Sequence, residues 1–134
     1  GAVIAFSTGS SWGVFSIMMP IAIPIAAAMD ISLPLVIGAV ISGGLFGDHC
    51  SPISDTTIMA STGTAADHIE HVRTQLPYAI IIAISSAIGF VFSGLTQNSI
   101  VGLVVTAIVL LSVLVFLNRK VKKEYISTPL EKSS

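Results

Sequence analysis

Apolar residues run along the chain in four blocks parted by short polar stretches, and the blocks are too continuous to be the 3.6-residue stripes of a water-soluble helix. The first block, 13–29, carries Pro20 and Pro24 four residues apart, which predicts a kinked helix about 25 Å long at 1.5 Å per residue. Ahead of it, Gly1 to Phe6 reads as the end of a helix. Ser7-Thr8-Gly9-Ser10-Ser11-Trp12-Gly13 then interrupts the chain, because its two glycines and four hydroxyl residues favour turns and caps. The second block, Leu33 to Phe46, is shorter than the roughly 20 residues a spanning helix needs. It runs into a polar stretch at 47–57, where Ser51-Pro52 predicts a cap and first residue of a new half-helix through Ile58, giving an interrupted span over 33–60. Ser61 to Gln75 predicts a loop or short amphipathic helix outside the bilayer. There His68 and His71 beside Glu70 read as a solvated face more readily than as a pH-sensing patch. Blocks three and four, 76–95 and 100–117, are separated only by Thr96-Gln97-Asn98-Ser99 and predict an antiparallel helical hairpin.

Composition turns this pattern into a class. With 53% hydrophobic residues, 10% charged and a mean hydropathy of +0.92, the chain reads as an all-α polytopic membrane protein of about four transmembrane segments with interrupted helices. A net charge of −1 argues against a nucleic-acid partner, and the partner it implies is the lipid bilayer. The single basic cluster, Arg119, Lys120, Lys122 and Lys123, abuts a span. Together with Arg73 it predicts, by the positive-inside rule, a cytoplasmic C-terminus with a basic tail over 118–134, polar and disordered from Ile126 to Ser134. Cys50 stands alone, so no internal disulfide forms. Gly1 to Phe6 lacks the features of a signal peptide, and 134 residues are few for a transporter of paired repeats, so the chain reads as the C-terminal part of a longer protein.

Asp48 and Asp55 directly follow an apolar run, where a carboxylate is costly, at about 2.5 to 3.5 kcal/mol for a central Asp on insertion scales. Na⁺ is a hard cation that takes oxygen ligands, and Asp48, Ser51, Ser54, Asp55, Thr56 and Thr57 supply them beside freed backbone carbonyls. Desolvation disfavours a bare carboxylate, so H⁺ and Na⁺ compete for the same oxygens. Asp48 and Asp55 are thus candidate proton and cation groups, with His49 as a proton carrier or a hydrogen-bonded structural histidine. Asp55 is also placed to sit in a first helical turn and simply favour the helix dipole. Ser7, Thr8, Ser10 and Ser11 form a second polar break that either contributes to the site or only bonds its own backbone, and Trp12 fits an interface anchor. His49 and Cys50 have no second pair at zinc-site spacing, and no resident cofactor is implied. An intramembrane hydrolase is disfavoured, since neither a Gly-x-Ser-x-Gly elbow nor a His-Glu-x-x-His motif occurs, and no enzyme activity is expected.

Phe6-Ser7-Thr8-Gly9-Ser10-Ser11-Trp12-Gly13, Met19-Pro20-Ile21-Ala22 and above all Gly47 to Thr57 resemble the C-terminal half of the NhaC-type Na⁺/H⁺ antiporter family, within the ion transporter superfamily. The resemblance covers about residues 1 to 95. It implies a secondary transporter of the bacterial inner membrane that exchanges Na⁺ for H⁺, of which 1–117 is one half of an inverted-repeat fold. It further implies Na⁺ held at Asp48 and Asp55, a missing N-terminal half as partner, and room for a homodimer. The family also includes exchangers that couple Na⁺ and H⁺ to small organic anions such as malate and lactate, which is the second expectation. A non-transporting membrane assembly subunit is the third.

Overall fold

The computed structural model describes residues 1–127 and is helical throughout its regular structure, with six helices and, among the described residues, no strand. Most of the disordered end expected over 126–134 lies outside the described residues. The helices are α1 (Ala2–Thr8), α2 (Ser11–Ala28), α3 (Leu33–Cys50), α4 (Asp55–Gly63), α5 (His68–Thr96) and α6 (Ser99–Ser127). Four of them, α2, α3, α5 and α6, are long and apolar enough to cross a membrane. Their outward faces carry Ile, Leu, Val and Phe in the open, as lipid-facing helices do.

The first interruption is a reversal of the chain. Gly9 takes φ +66°, a left-handed conformation that glycine adopts without the penalty a Cβ brings, and Ser10 caps α2 by accepting from Gly13 N. A Cβ at Gly1 would lie 3.6 Å from Val14 Cγ1, and that approach is out of reach if α1 and α2 were collinear. The two helices therefore form a tight antiparallel hairpin with its tip at Gly9-Ser10. α2 continues through Pro20 and Pro24 as one helix, although each proline removes a donor from the ladder.

α3 is the spine on which this hairpin lies. Its buried residues Val40, Gly44, Gly47 and Asp48 fall on one face at helical spacing. Small residues there let backbones approach: a Cβ at Gly47 would collide with Ala2 O and lie 2.7 Å from Ala5 Cβ, while one at Gly44 would meet Phe15 Cε1 at 2.5 Å. The helix continues four residues past Phe46, because Gly47-Asp48-His49-Cys50 contains no stop signal and the stop comes only before Pro52. The residue preceding a proline is pushed out of the helical region, and Ser51 has φ −78°, ψ 128°. Ser51 thus ends α3, where the sequence predicted it to begin the next helix. Ser54 is the residue before α4, and that helix runs on to Gly63.

α5 begins eight residues before the apolar block that predicted it, because Asp67 caps it by accepting from Glu70 N at 2.9 Å. Of the stretch 61–75, expected as a loop or a short amphipathic helix, residues 68–75 are therefore the first turns of α5. At 29 residues α5 is about 43 Å long, more than the ~30 Å hydrocarbon core, so its polar first turns extend beyond the apolar zone. It pairs with α6 in a close antiparallel hairpin along Ser85, Gly89 and Ser93, where a Cβ at Gly89 would collide with Thr106 Oγ1 and lie 2.8 Å from Gly102 O. α6 carries the helix through Arg119 to Lys123, residues with good helix propensity and no intervening breaker, where the sequence predicted a tail.

Candidate functional site

The two interruptions meet. A Cβ on Gly9 would lie 2.8 Å from Ile53 O, so the tip of the α1–α2 hairpin rests on the α3–α4 connection. Asp48, two residues from the end of α3 on its buried face, points between them and is 3% exposed. Its Oδ2 accepts from Ser11 Oγ at 3.2 Å and its Oδ1 from Ser54 Oγ at 2.6 Å. One hydroxyl thus comes from the start of α2 and the other from the residue preceding α4. Ser54 Oγ also lies 2.7 Å from Thr56 Oγ1, which extends the chain of hydroxyls to an exposed residue. Among the described residues Asp48 has no ion-pair partner; the ion pair found there is Arg73 with Glu70, on the surface.

The remaining candidates divide. Ser51 is fully buried, and its hydroxyl accepts from Ile53 N at 3.3 Å, tightening the connection. Thr57 is buried on α4. Asp55 is exposed and accepts from Thr56 N at 3.0 Å in the first turn of α4, as a helix-starting carboxylate does. His49 is exposed, and its ring lines an apolar groove of about 770 Å³ between α3 and α5, beside Gln75 and Tyr78. Ser7 and Thr8 are exposed and bond Val3 O and Ile4 O within their own helix. Ser10 serves as the α2 cap. Among the described residues no group of three or more His, Cys, Asp or Glu side chains is disposed to hold a metal ion.

Two residues from the stretch expected as a loop or short amphipathic helix reach the interruption. His68 Nε2 lies 2.6 Å from Pro52 O and its Nδ1 lies 3.0 Å from Ser61 Oγ; Gln75 Nε2 donates to His49 O at 2.9 Å. The Asp67-x-x-Glu70 spacing was the signal that His68 opens a helix. Nothing in the sequence pairs it with Pro52.

Four helices of membrane-crossing length, with a hairpin tip and a helix break apposed on a buried carboxylate, define a multi-pass α-helical membrane protein with interrupted helices. The chain belongs to the Na⁺/H⁺ antiporter family, which matches residues 1–95. It is 49% identical over 122 residues to an uncharacterized protein of Haemophilus influenzae, covering 90% of this chain and 23% of that one. It is 37% identical to the malate-2H⁺/Na⁺-lactate antiporter of Bacillus subtilis, covering 69% and 21%, and 34% identical to the Na⁺/H⁺ antiporter NhaC of the same organism, covering 69% and 20%. This chain therefore spans about a fifth of the length of the curated relatives it matches. The activities named for these relatives are transport, not enzymatic catalysis. No solved structure matches.

Proposed function

We propose that this region carries the exchange site of a Na⁺/H⁺ antiporter and that Asp48 is the carboxylate at which Na⁺ and H⁺ alternate. The supporting observation is a buried Asp48 whose two oxygens are each held by a serine from a different chain interruption, with no ion pair to it among the described residues. The same carboxylate oxygens can take a proton or a cation, so the two compete at one place. In the present arrangement Ser11 and Ser54 aim their protons at Asp48. Ser54 has a second acceptor, Thr56 Oγ1, at 2.7 Å. Turning its proton toward Thr56 frees a lone pair beside Asp48 Oδ1 without moving a heavy atom, and converts a donor into a Na⁺ ligand. Asp55 has no part in this exchange and serves as a helix-starting carboxylate.

The hairpin tip, the α3–α4 connection, the α5 start and the α6 end lie at one end of the bundle, with Arg73 and the Arg119 cluster. By the positive-inside rule that end, and the C-terminus, face the cytoplasm of a bacterial inner membrane. The kinship to a malate and lactate exchanger supports a second reading, in which Na⁺ and H⁺ at Asp48 are coupled to a carboxylate anion bound at the start of α2, where backbone N–H groups are free. The test is a full-length relative carrying this segment, reconstituted in proteoliposomes with an internal pH dye. Na⁺ alone driving proton movement that Asp48→Asn abolishes supports simple exchange. A strict requirement for malate or lactate moves the conclusion to the second reading, and no proton movement in either condition leaves the segment a structural module.

A further inference from the structure

The connection that carries Ser54 is four residues long, Ser51 to Ser54, and is tied to the flanking helices only at its ends, where Ser51 N donates to Asp48 O and Ser54 O accepts from Ile58 N. Within it, Ser51 Oγ accepts from Ile53 N and Ser54 N donates to Ser51 O at a long 3.3 Å. From outside, the bond that reaches its middle is that of His68. A carbonyl can only accept, so Nε2 carries a proton and donates to Pro52 O at 2.6 Å. The second ring nitrogen fixes the plane. When neutral, Nδ1 accepts from Ser61 Oγ. When the ring is doubly protonated it donates to that oxygen, and Ser61 turns its own proton to Ile58 O at 2.9 Å. The bond to Pro52 exists in both states, so its service is geometric. About two turns further along α5, Gln75 fastens the neighbouring His49 carbonyl in the same manner.

We infer that His68 is a positioning residue for cation binding: through Pro52 it holds the α3–α4 connection so that Ser54 Oγ stays against Asp48. This rests on Asp48 being the exchange carboxylate. A free Pro52 carbonyl lets the connection rotate, Ser54 leaves its short bond, and Na⁺ meets one ligand fewer, while the carboxylate itself is intact. The ring's two nitrogens make the inference specific. A glutamine amide at this position reaches the depth of Nε2, and an asparagine amide reaches that of Nδ1.

The experiment uses the full-length antiporter carrying this segment and measures Na⁺-driven proton exchange against Na⁺ concentration. His68→Ala and His68→Asn are expected to raise the half-saturating Na⁺ concentration roughly three- to tenfold while the maximal rate stays within about twofold, and His68→Gln to recover most of the affinity. An unchanged half-saturation in His68→Ala, or equal losses in His68→Gln and His68→Asn, overturns the positioning role. If His68→Ala does not fold, the Gln and Asn pair decides alone. Asp48→Asn run in parallel separates the two layers: if it still exchanges, the underlying site is wrong, and if it is dead while His68→Ala keeps its Na⁺ affinity, only the positioning role falls.

Discussion

Replacing Asp48 with Asn changes one atom and one charge, and the structure predicts opposite consequences for folding and for Na⁺. The amide is isosteric with the carboxylate, its oxygen can still accept from Ser54, and its NH₂ can donate to Ser11 Oγ, so both hydroxyls now 2.6 and 3.2 Å away keep a partner. Exchanging charged for neutral hydrogen bonds costs about 1–2 kcal/mol of stability, leaving a folded protein. The cation loses far more. A unit carboxylate and a monovalent ion at roughly 2.4 Å, in an effective dielectric of about 20, attract by about 7 kcal/mol, equivalent to about five powers of ten in affinity. Asp55→Asn removes a charge from an exposed first helical turn, where the dipole term is about 0.3–1 kcal/mol and concerns α4 alone. In proteoliposomes of the full-length antiporter, Asp48→Asn should therefore abolish Na⁺-driven proton movement at every attainable concentration, and Asp55→Asn should leave it within a few-fold. Equal losses in the two variants, or residual saturable exchange in Asp48→Asn, would refute the reasoning.

Ser54→Ala removes the 2.6 Å donor and the link to Thr56, and should weaken apparent Na⁺ affinity about tenfold or more, whereas Ser7→Ala, which loses only a bond to its own helix, should stay near wild type in the same flux assay. Cys50, 5% exposed and two residues beyond Asp48, is a built-in reporter: Na⁺ should slow its alkylation by a maleimide relative to choline, and Asp48→Asn should erase that difference. Gly9→Ala places a Cβ in the left-handed region and 2.8 Å from Ile53 O, so it should lower thermal stability by at least ~1 kcal/mol and loosen the site, seen as faster Cys50 alkylation. Gly89→Ala should destabilise the α5–α6 hairpin in detergent melts, and Thr106→Ala should rescue only part of the loss, because Gly102 O remains 2.8 Å from the new carbon.

The spans were legible because lipid demands long apolar blocks, and the hairpin of α5 and α6 followed from a link too short for anything else. The start of α5 was equally readable, since Asp67 and Glu70 stand at capping-box spacing, but the polar character of His68 to Gln75 masked it. Ser51-Pro52 was ambiguous, since the same dipeptide ends one helix and can begin another. The pre-proline restriction acting on Ser51 was the stronger term. The sharp turn at Gly9-Ser10 was not readable in kind: two residues between helices serve a kink or a reversal equally, and the choice lies in packing against Ile53 and Val14, which sequence order does not expose.

The end of α3 and the start of α4 are what separate the two aspartates. Had the 47–57 stretch been irregular throughout, Asp48 and Asp55 would have been equivalent oxygens on a loose loop. Because α3 persists to Cys50, Asp48 inherits the buried phase of Val40, Gly44 and Gly47, the face on which the hairpin lies, and Ser11 arrives from the far side of the tip. Because α4 starts only at Asp55, that residue falls on a first turn, pointing its carboxylate at backbone N–H groups. A shift of one helix boundary by four residues thus turns a symmetrical pair of candidates into one buried carboxylate with a ligand from each interruption and one surface cap. It also ties the hairpin tip to Asp48: Gly9 rests on Ile53, and Ser11, two residues further on, donates to the carboxylate. The two carboxylate oxygens are therefore held by hydroxyls from two different interruptions of the chain, Ser11 at the start of α2 and Ser54 before α4.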